Sequence, residues 1–210
     1  TYIVIDGEGK DISKTTNISF PSESNGELVE HSYKELAFNS IIRGCTCCIR
    51  KEVAKQNHNI EVGLYLGHDW FYNVVASILG KNKTLNIPVF KYRVHGENAS
   101  LGRYNRKNAL STYRQKKIET IQQTADAHRL LLSRYEMNMS KDDVEFTRSM
   151  IAFFDKRIEM YNKKSLFLFV SLLVEDFHKY VDIYETKKSA WHTILSDFMY
   201  AFNINFKIKR

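Results

Sequence analysis

Helix breakers are missing from the second half of this chain. All nine glycines lie at or before Gly102, and both prolines, Pro21 and Pro88, precede it. Gly and Pro are the residues least compatible with a helix interior, so everything after Gly102 is expected to be helical. Long apolar runs are missing too. The most apolar stretch, Leu166 to Val174, is interrupted by Ser171 and is far shorter than the ~20 residues a membrane span requires. No charged and then apolar leader of the secretory kind opens the sequence. Cysteine is scarce, with Cys45, Cys47 and Cys48 packed within four positions. In a strand Cys45 and Cys47 share one face and Cys48 takes the other, a poor geometry for a bridge and unlike the paired spacing of zinc sites. Buried thiols in a reducing cytoplasm are the expectation.

What is present is an ordinary globular balance, 43% hydrophobic and 26% charged, over 210 residues. That length suits one large domain or two small ones. The formal charge of +7 is unevenly placed: residues 1–100 hold 11 bases and 11 acids, whereas residues 101–210 hold 20 and 13. The change in glycine, proline and charge at one point divides the chain into residues 1–102 and 103–210.

The amino-terminal half alternates strand-like and helix-like segments. Tyr2 to Ile5 is a short β-branched run ending in Asp6-Gly7-Glu8-Gly9, a strand feeding a turn. Residues 13–32, rich in Ser, Thr, Asn and Glu, read as a polar loop. Ser32 with Glu35 forms a capping box for a helix through Leu36, Phe38, Ile41 and Ile42. Gly44 to Arg50 reads as a strand, and Lys51 to Gln56 as one helical turn. Asp69 opens a helix carrying Trp70, Val74, Ser77 and Ile78, which Gly80 ends, and extended segments flank Pro88.

The carboxy-terminal half holds a pair of seams that alternate by three and four. One is Ile118, Ile121, Ala125, His128, Leu132 and Tyr135; the other is Val144, Thr147, Ile151, Phe154, Ile158 and Tyr161. Glu136 to Ser140 links them, and Ser140 with Asp143 caps the second, which predicts an antiparallel hairpin. A third helix is expected with Leu166, Phe169 or Val170, Leu173, Phe177, Tyr180 and Tyr184 inward. A fourth, Ser189 to Phe202, presents Trp191, Leu195, Phe198 and Phe202 on one side. The fold class is therefore α+β and predominantly α: an α/β sheet edge, then a carboxy-terminal antiparallel helical bundle.

Three segments carry possible chemistry: Gly67-His68-Asp69-Trp70-Phe71, then Asn86-Ile87-Pro88, then Tyr92-Arg93-Val94-His95-Gly96-Glu97-Asn98. From the residues alone, Asp69 is either a general base or a helix cap, and Trp70 either a core anchor or a platform for a sugar ring. In extended structure Arg93 and His95 share one face, where a cation and an imidazole suit a diphosphate and its metal; a structural ion pair and a turn histidine are the alternative. The order and spacing of these segments resemble the acceptor-side half of a family 2 glycosyltransferase of the GT-A fold, in particular the rhamnosyltransferase-like group.

That resemblance, over roughly the first hundred residues, implies an inverting transfer of a sugar from a nucleotide-sugar donor to an acceptor hydroxyl. The setting it implies is bacterial surface polysaccharide synthesis: capsule, O-antigen or exopolysaccharide. It implies Asp69 as catalytic base, His68 and Trp70 at the acceptor, Arg93 on the donor diphosphate, and His95 in the shell of a divalent Mg or Mn ion. The family's metal-holding Asp-x-Asp is absent from these residues. The chain is therefore expected to be a portion of a longer enzyme, lacking the donor-binding half, inactive by itself and without a tightly bound metal. A glycan or lipid-linked acceptor is implied, in the cytoplasm or on the inner face of the cytoplasmic membrane.

Two readings from other classes stand beside it: a helical protein-interaction module without catalysis, and a basic nucleic-acid-binding domain. The basic set Arg103, Arg106, Lys107, Arg114, Lys116 and Lys117 is a solvated face, or else meets an anionic membrane surface. No recognisable motif accompanies that charge, and no nucleic acid is expected as partner.

Overall fold

The computed structural model describes residues 2–12, 26–38, 47–57, 67–85, 87–88, 90–95 and 110–204. The chain is α+β and predominantly helical. It divides into two compact units, one of Thr1–Leu36, Ser40–Asn59 and His68–Arg106, the other of Ala37–Asn39, Ile60–Gly67 and Lys107–Arg210.

Among the described residues the first unit contains two two-stranded sheets. Strand β1 (Tyr2–Ile5) pairs in parallel with β4 (Phe90–Arg93), Tyr2 opposite Phe90 and Ile5 opposite Arg93. Strand β2 (Leu28–His31) pairs antiparallel with β3 (Asn82–Leu85). Residues 28–31 are thus a strand and not the expected loop; their charge and exposure hide a segment held by cross-strand pairs. His31 Nε2 lies 2.8 Å from Thr84 Oγ1, and Lys81 and Lys83 reach Glu30 at 3.4 and 3.5 Å. Helix α1 (Tyr33–Phe38) starts on the expected capping box, with Ser32 N–H donating to Glu35 at 2.7 Å and Glu35 N–H to Ser32 Oγ at 3.3 Å. Residues 39–46 lie outside the described residues. Cys47 to Arg50 is not a strand as expected, but an irregular lead into α2 (Lys51–Gln56). Of the thiols expected to be buried, Cys48 is exposed and Cys47 half-buried; Cys45 is not among the described residues. Helix α3 (Gly67–Leu79) precedes β3.

The second unit is a set of helices: α4 (Leu110–Tyr135), α5 (Lys141–Lys163), α6 (Leu166–Glu175), α7 (Phe177–Tyr184) and α8 (Lys187–Ala201). Helices α4 and α5 form the antiparallel hairpin. Arg114, near the start of α4, donates to the Tyr161 carbonyl near the end of α5, while Arg148 meets Glu136 at the connection. Ser140 caps α5 by accepting from Asp143 N–H at 3.1 Å. Without glycine to take left-handed backbone, Lys164, Glu185 and Asn203 occupy it at φ of 49°, 63° and 56° after α5, α7 and α8. The ends at Lys164 and Glu185 fall between the expected helices, but the break between α6 and α7 splits what the sequence presents as one third helix. At the break Asp176 turns its carboxylate to Lys156 at 2.8 Å and Lys179 at 2.9 Å, and no breaker residue announces it.

The buried faces also differ from the apolar pattern. On α6, Leu172 is buried and, of the alternatives Phe169 and Val170, Phe169 packs against the core, whereas Leu166, expected inward, is exposed. On α8, Ala190, Ile194, Asp197 and Ala201 face the core, whereas Trp191 and Leu195 face outward. On α5 the buried set includes Met150, Phe153, Arg157 and Met160 beside the anticipated Val144, Thr147, Phe154 and Tyr161, because helices pack on more than one side of it.

The cause of the α8 rotation is ionic. Asp197 is wholly buried, and four side chains converge on it. Its Oδ2 accepts from Arg157 Nε and Tyr180 Oη, each at 2.9 Å; its Oδ1 accepts from Tyr161 Oη at 2.9 Å and meets Lys117 Nζ at 2.6 Å. Arg157 Nη2 is 2.8 Å from Oδ2 yet too bent for a hydrogen bond, so that approach contributes charge attraction alone. The Arg157 guanidinium also lies over the rings of Tyr180 and Phe153, at 4.9 and 5.4 Å. Burial opposes ionisation of Asp197, but Arg157 and Lys117 outweigh it and hold the carboxyl below its ordinary value. Burial, then the carboxylate, pushes both tyrosine hydroxyls well above the usual range, so they stay donors.

A second buried polar group is His128. Its Nδ1 lies 2.7 Å from the Thr124 carbonyl and its Nε2 3.0 Å from the Ala37 carbonyl, and its ring stacks on Phe38 at 4.5 Å. Burial lowers its pKa to about 4, against the pull of those two carbonyls.

Two outcomes are expected. Tyr180→Phe removes one donor from Asp197 and keeps the aromatic face over Arg157, so urea unfolding should show a loss of about 1–2 kcal/mol; an unchanged midpoint would remove Tyr180 from the network. For His128, the unfolded chain takes up its proton near 6.5 and the folded chain only near 4. Its contribution is thus complete above pH 6.5 and is lost as pH falls toward 4, by about 3 kcal/mol in all. His128→Gln should flatten the pH dependence of unfolding in that window, and an unaltered slope would contradict the assignment.

Candidate functional site

Parallel pairing of β1 with β4 brings the carboxyl ends of both strands to one edge, where ligands bind in open α/β sheets. The turn after β1 is built by Asp6: its carbonyl accepts from Gly9 N–H at 3.1 Å, its N–H donates to the Lys10 carbonyl at 3.0 Å, and its Oδ1 accepts from Lys10 N–H at 2.8 Å. Gly9 sits at φ 90°, backbone that only glycine adopts without strain. Arg93, last in β4, reaches across with Nη1 to the carbonyls of Asp6, at 3.2 Å, and Gly7. Val94 N–H extends the pairing to the Ile5 carbonyl at 2.8 Å, and His95 follows, exposed. The turn, Arg93 and His95 therefore come together, with Arg93 gripping backbone carbonyls.

Asp69 lies elsewhere in the same unit, in the first turn of α3. That helix begins two residues earlier than the sequence suggests, at Gly67 with φ 81°, so Asp69 is within the turn instead of capping it. Its Oδ1 accepts from Trp70 N–H at 3.0 Å. His68 beside it is exposed. Trp70 is only 1% exposed, and its indole N–H donates to the Leu36 carbonyl at 3.0 Å. A ring so enclosed offers no face to a sugar, which corrects its assignment to the acceptor site; it is the core anchor of α3.

A pair of buried amides anchors this helix. Asn73, buried, donates to the Asp69 carbonyl at 2.8 Å and accepts from Asn82 Nδ2 at its side-chain oxygen, 3.0 Å, and its carbonyl, 3.2 Å. Cys47 Sγ is 3.9 Å from the same Asn73 oxygen, and burial raises its pKa. The pair fixes the first turn of α3 against the start of β3, and so fixes where Asp69 stands. Asn73 sits between Tyr72 and Val74 but Asn82 between Lys81 and Lys83, so no local pattern in the sequence marks the two as partners.

The divalent ion implied by the resemblance finds no set of three or more His, Cys, Asp or Glu side chains among the described residues. Nor is any helix among them long and apolar enough to cross a membrane. No family model, no curated protein and no solved structure matches this chain.

Proposed function

We propose that this chain carries the acceptor-side portion of an inverting glycosyltransferase, a cytoplasmic enzyme that moves a sugar from a nucleotide-sugar donor to a glycan or lipid-linked acceptor in bacterial surface polysaccharide synthesis. The observation that supports it most is the parallel β1–β4 pair. It gathers the Asp6-Gly7-Glu8-Gly9 turn, Arg93 and His95 at the carboxyl edge of two strands, where a nucleotide diphosphate is received in folds of this kind.

In this reading Arg93 serves the diphosphate. Its grip on the Asp6 and Gly7 carbonyls stiffens the turn, which sets the shape of that edge before a donor arrives. Asp69 takes the proton from the acceptor hydroxyl as the oxygen attacks the anomeric carbon, and the diphosphate leaves from the opposite side. A base needs a fixed position, and Asn73 and Asn82 supply it by holding the Asp69 backbone. His68, next to Asp69, contacts the acceptor.

The test uses the protein produced from its natural reading frame, assayed with nucleotide sugars. Asp69→Asn should lower transfer by about 100-fold or more while donor affinity stays within about twofold, because a general base acts on the acceptor and adds little to ground-state donor binding. Full transfer with reduced stability would make Asp69 a structural residue. Failure of the unaltered protein to bind any nucleotide sugar would end the glycosyltransferase reading.

A further inference from the structure

The exposed faces of α6 and α8 share a local pattern. Lys163-Lys164-Ser165-Leu166-Phe167 runs from the end of α5 into α6 and Lys187-Lys188-Ser189-Ala190-Trp191 opens α8: two lysines, a serine, and an aromatic two residues later. Both aromatics point outward, Phe167 being 79% exposed and Trp191 55%. Each is followed by further exposed apolar side chains on its own helix, Val170 and Val174 on α6 and Leu195 on α8. A seam joins the two helices: Phe169 meets Phe198 at 4.8 Å and Phe202 at 6.5 Å. Large apolar side chains left exposed on two helices that touch are the kind of surface that marks an interaction site.

The charges choose the occupant. Lys164, Lys187 and Lys188 are exposed and enter no ion pair among the described residues, while Lys163 is held by Glu159 on its own helix. A second copy would bring the same lysines against each other, which disfavours self-pairing through this face. Aromatic and aliphatic groups that enter the acyl boundary, with lysines reaching back to the headgroups, instead fit an anionic bilayer surface. We infer that α6 and α8 form a lipid-binding face, inserting Phe167, Trp191 and Leu195 into the headgroup region of an anionic membrane while Lys164, Lys187 and Lys188 contact the lipid phosphates. The inference stands on the helical unit alone and does not depend on the glycosyltransferase reading.

The full chain is to be mixed with vesicles of pure phosphatidylcholine, or of phosphatidylcholine with about 30–40% phosphatidylglycerol, and sedimented. Binding to the anionic vesicles at low salt is expected, with release at high salt and a blue shift of Trp191 emission on binding. Lys164→Gln with Lys187→Gln and Lys188→Gln should weaken partition by about fivefold for each lysine and abolish the preference for anionic lipid. Phe167→Ser with Trp191→Ser, at exposed positions that leave folding intact by circular dichroism, should reduce binding at every salt concentration. No binding of the unaltered chain, or binding by both variants equal to that of the unaltered chain, would overturn the proposal. So would a concentration-dependent dimer dispersed by the Phe167 and Trp191 substitutions, which would assign the face to a second copy.

Discussion

A single buried carboxylate organises the helical unit. Asp197 on α8 takes donors from Lys117 on α4, Arg157 and Tyr161 on α5, and Tyr180 on α7, so four helices share one charged centre. Desolvating a carboxylate costs several kcal/mol, and well-packed apolar replacements of buried ion pairs are often as stable or more so. What the ionic centre supplies is choice of arrangement. The apolar residues of α8 alone favour Trp191, Leu195 and Phe198 inward; a rotation of about 100°, one residue of helix, brings Asp197 to Arg157 and sends Trp191 and Leu195 outward. Aromatic seams at the edge then accommodate Phe198 and Phe202.

That rotation explains why some of the fold is legible in the sequence and some is not. Capping boxes at Ser32 and Ser140 are readable because they depend on local hydrogen bonds between residues three apart. The α4–α5 hairpin is readable because its seams are apolar, although His128 and Thr147 already show that polar groups share them. Where burial depends on a partner far along the chain, the pattern misleads. Arg157 and Asp197 look like surface residues until they are seen together, and the α6–α7 break rests on Asp176 finding Lys156, twenty residues upstream.

At the candidate site the same distinction holds. The turn after β1 and the extended run ending in Arg93 and His95 announce themselves through glycine and β-branched residues. Their pairing, Ile5 with Arg93 across most of a hundred residues, does not. Asp69 stands out as a candidate, but its place inside the first turn of α3 comes from Gly67 and from the Asn73–Asn82 contact, neither of which has a local signature. Trp70 shows the limit of residue type: an indole serves a core as readily as a ligand, and its hydrogen bond to Leu36 decides for the core.

The most direct test of the organising role of Asp197 is a double-mutant cycle with Arg157→Met and Asp197→Leu, read by urea unfolding of the whole chain. Each single substitution leaves the partner charge buried and should cost about 3–5 kcal/mol. Together they should cost less than the sum by about 2 kcal/mol or more, since neither charge is then left buried without the other. Costs that add to within about 0.5 kcal/mol would contradict the account, because the two residues would then be stabilised independently and α8 would be oriented by its apolar contacts alone.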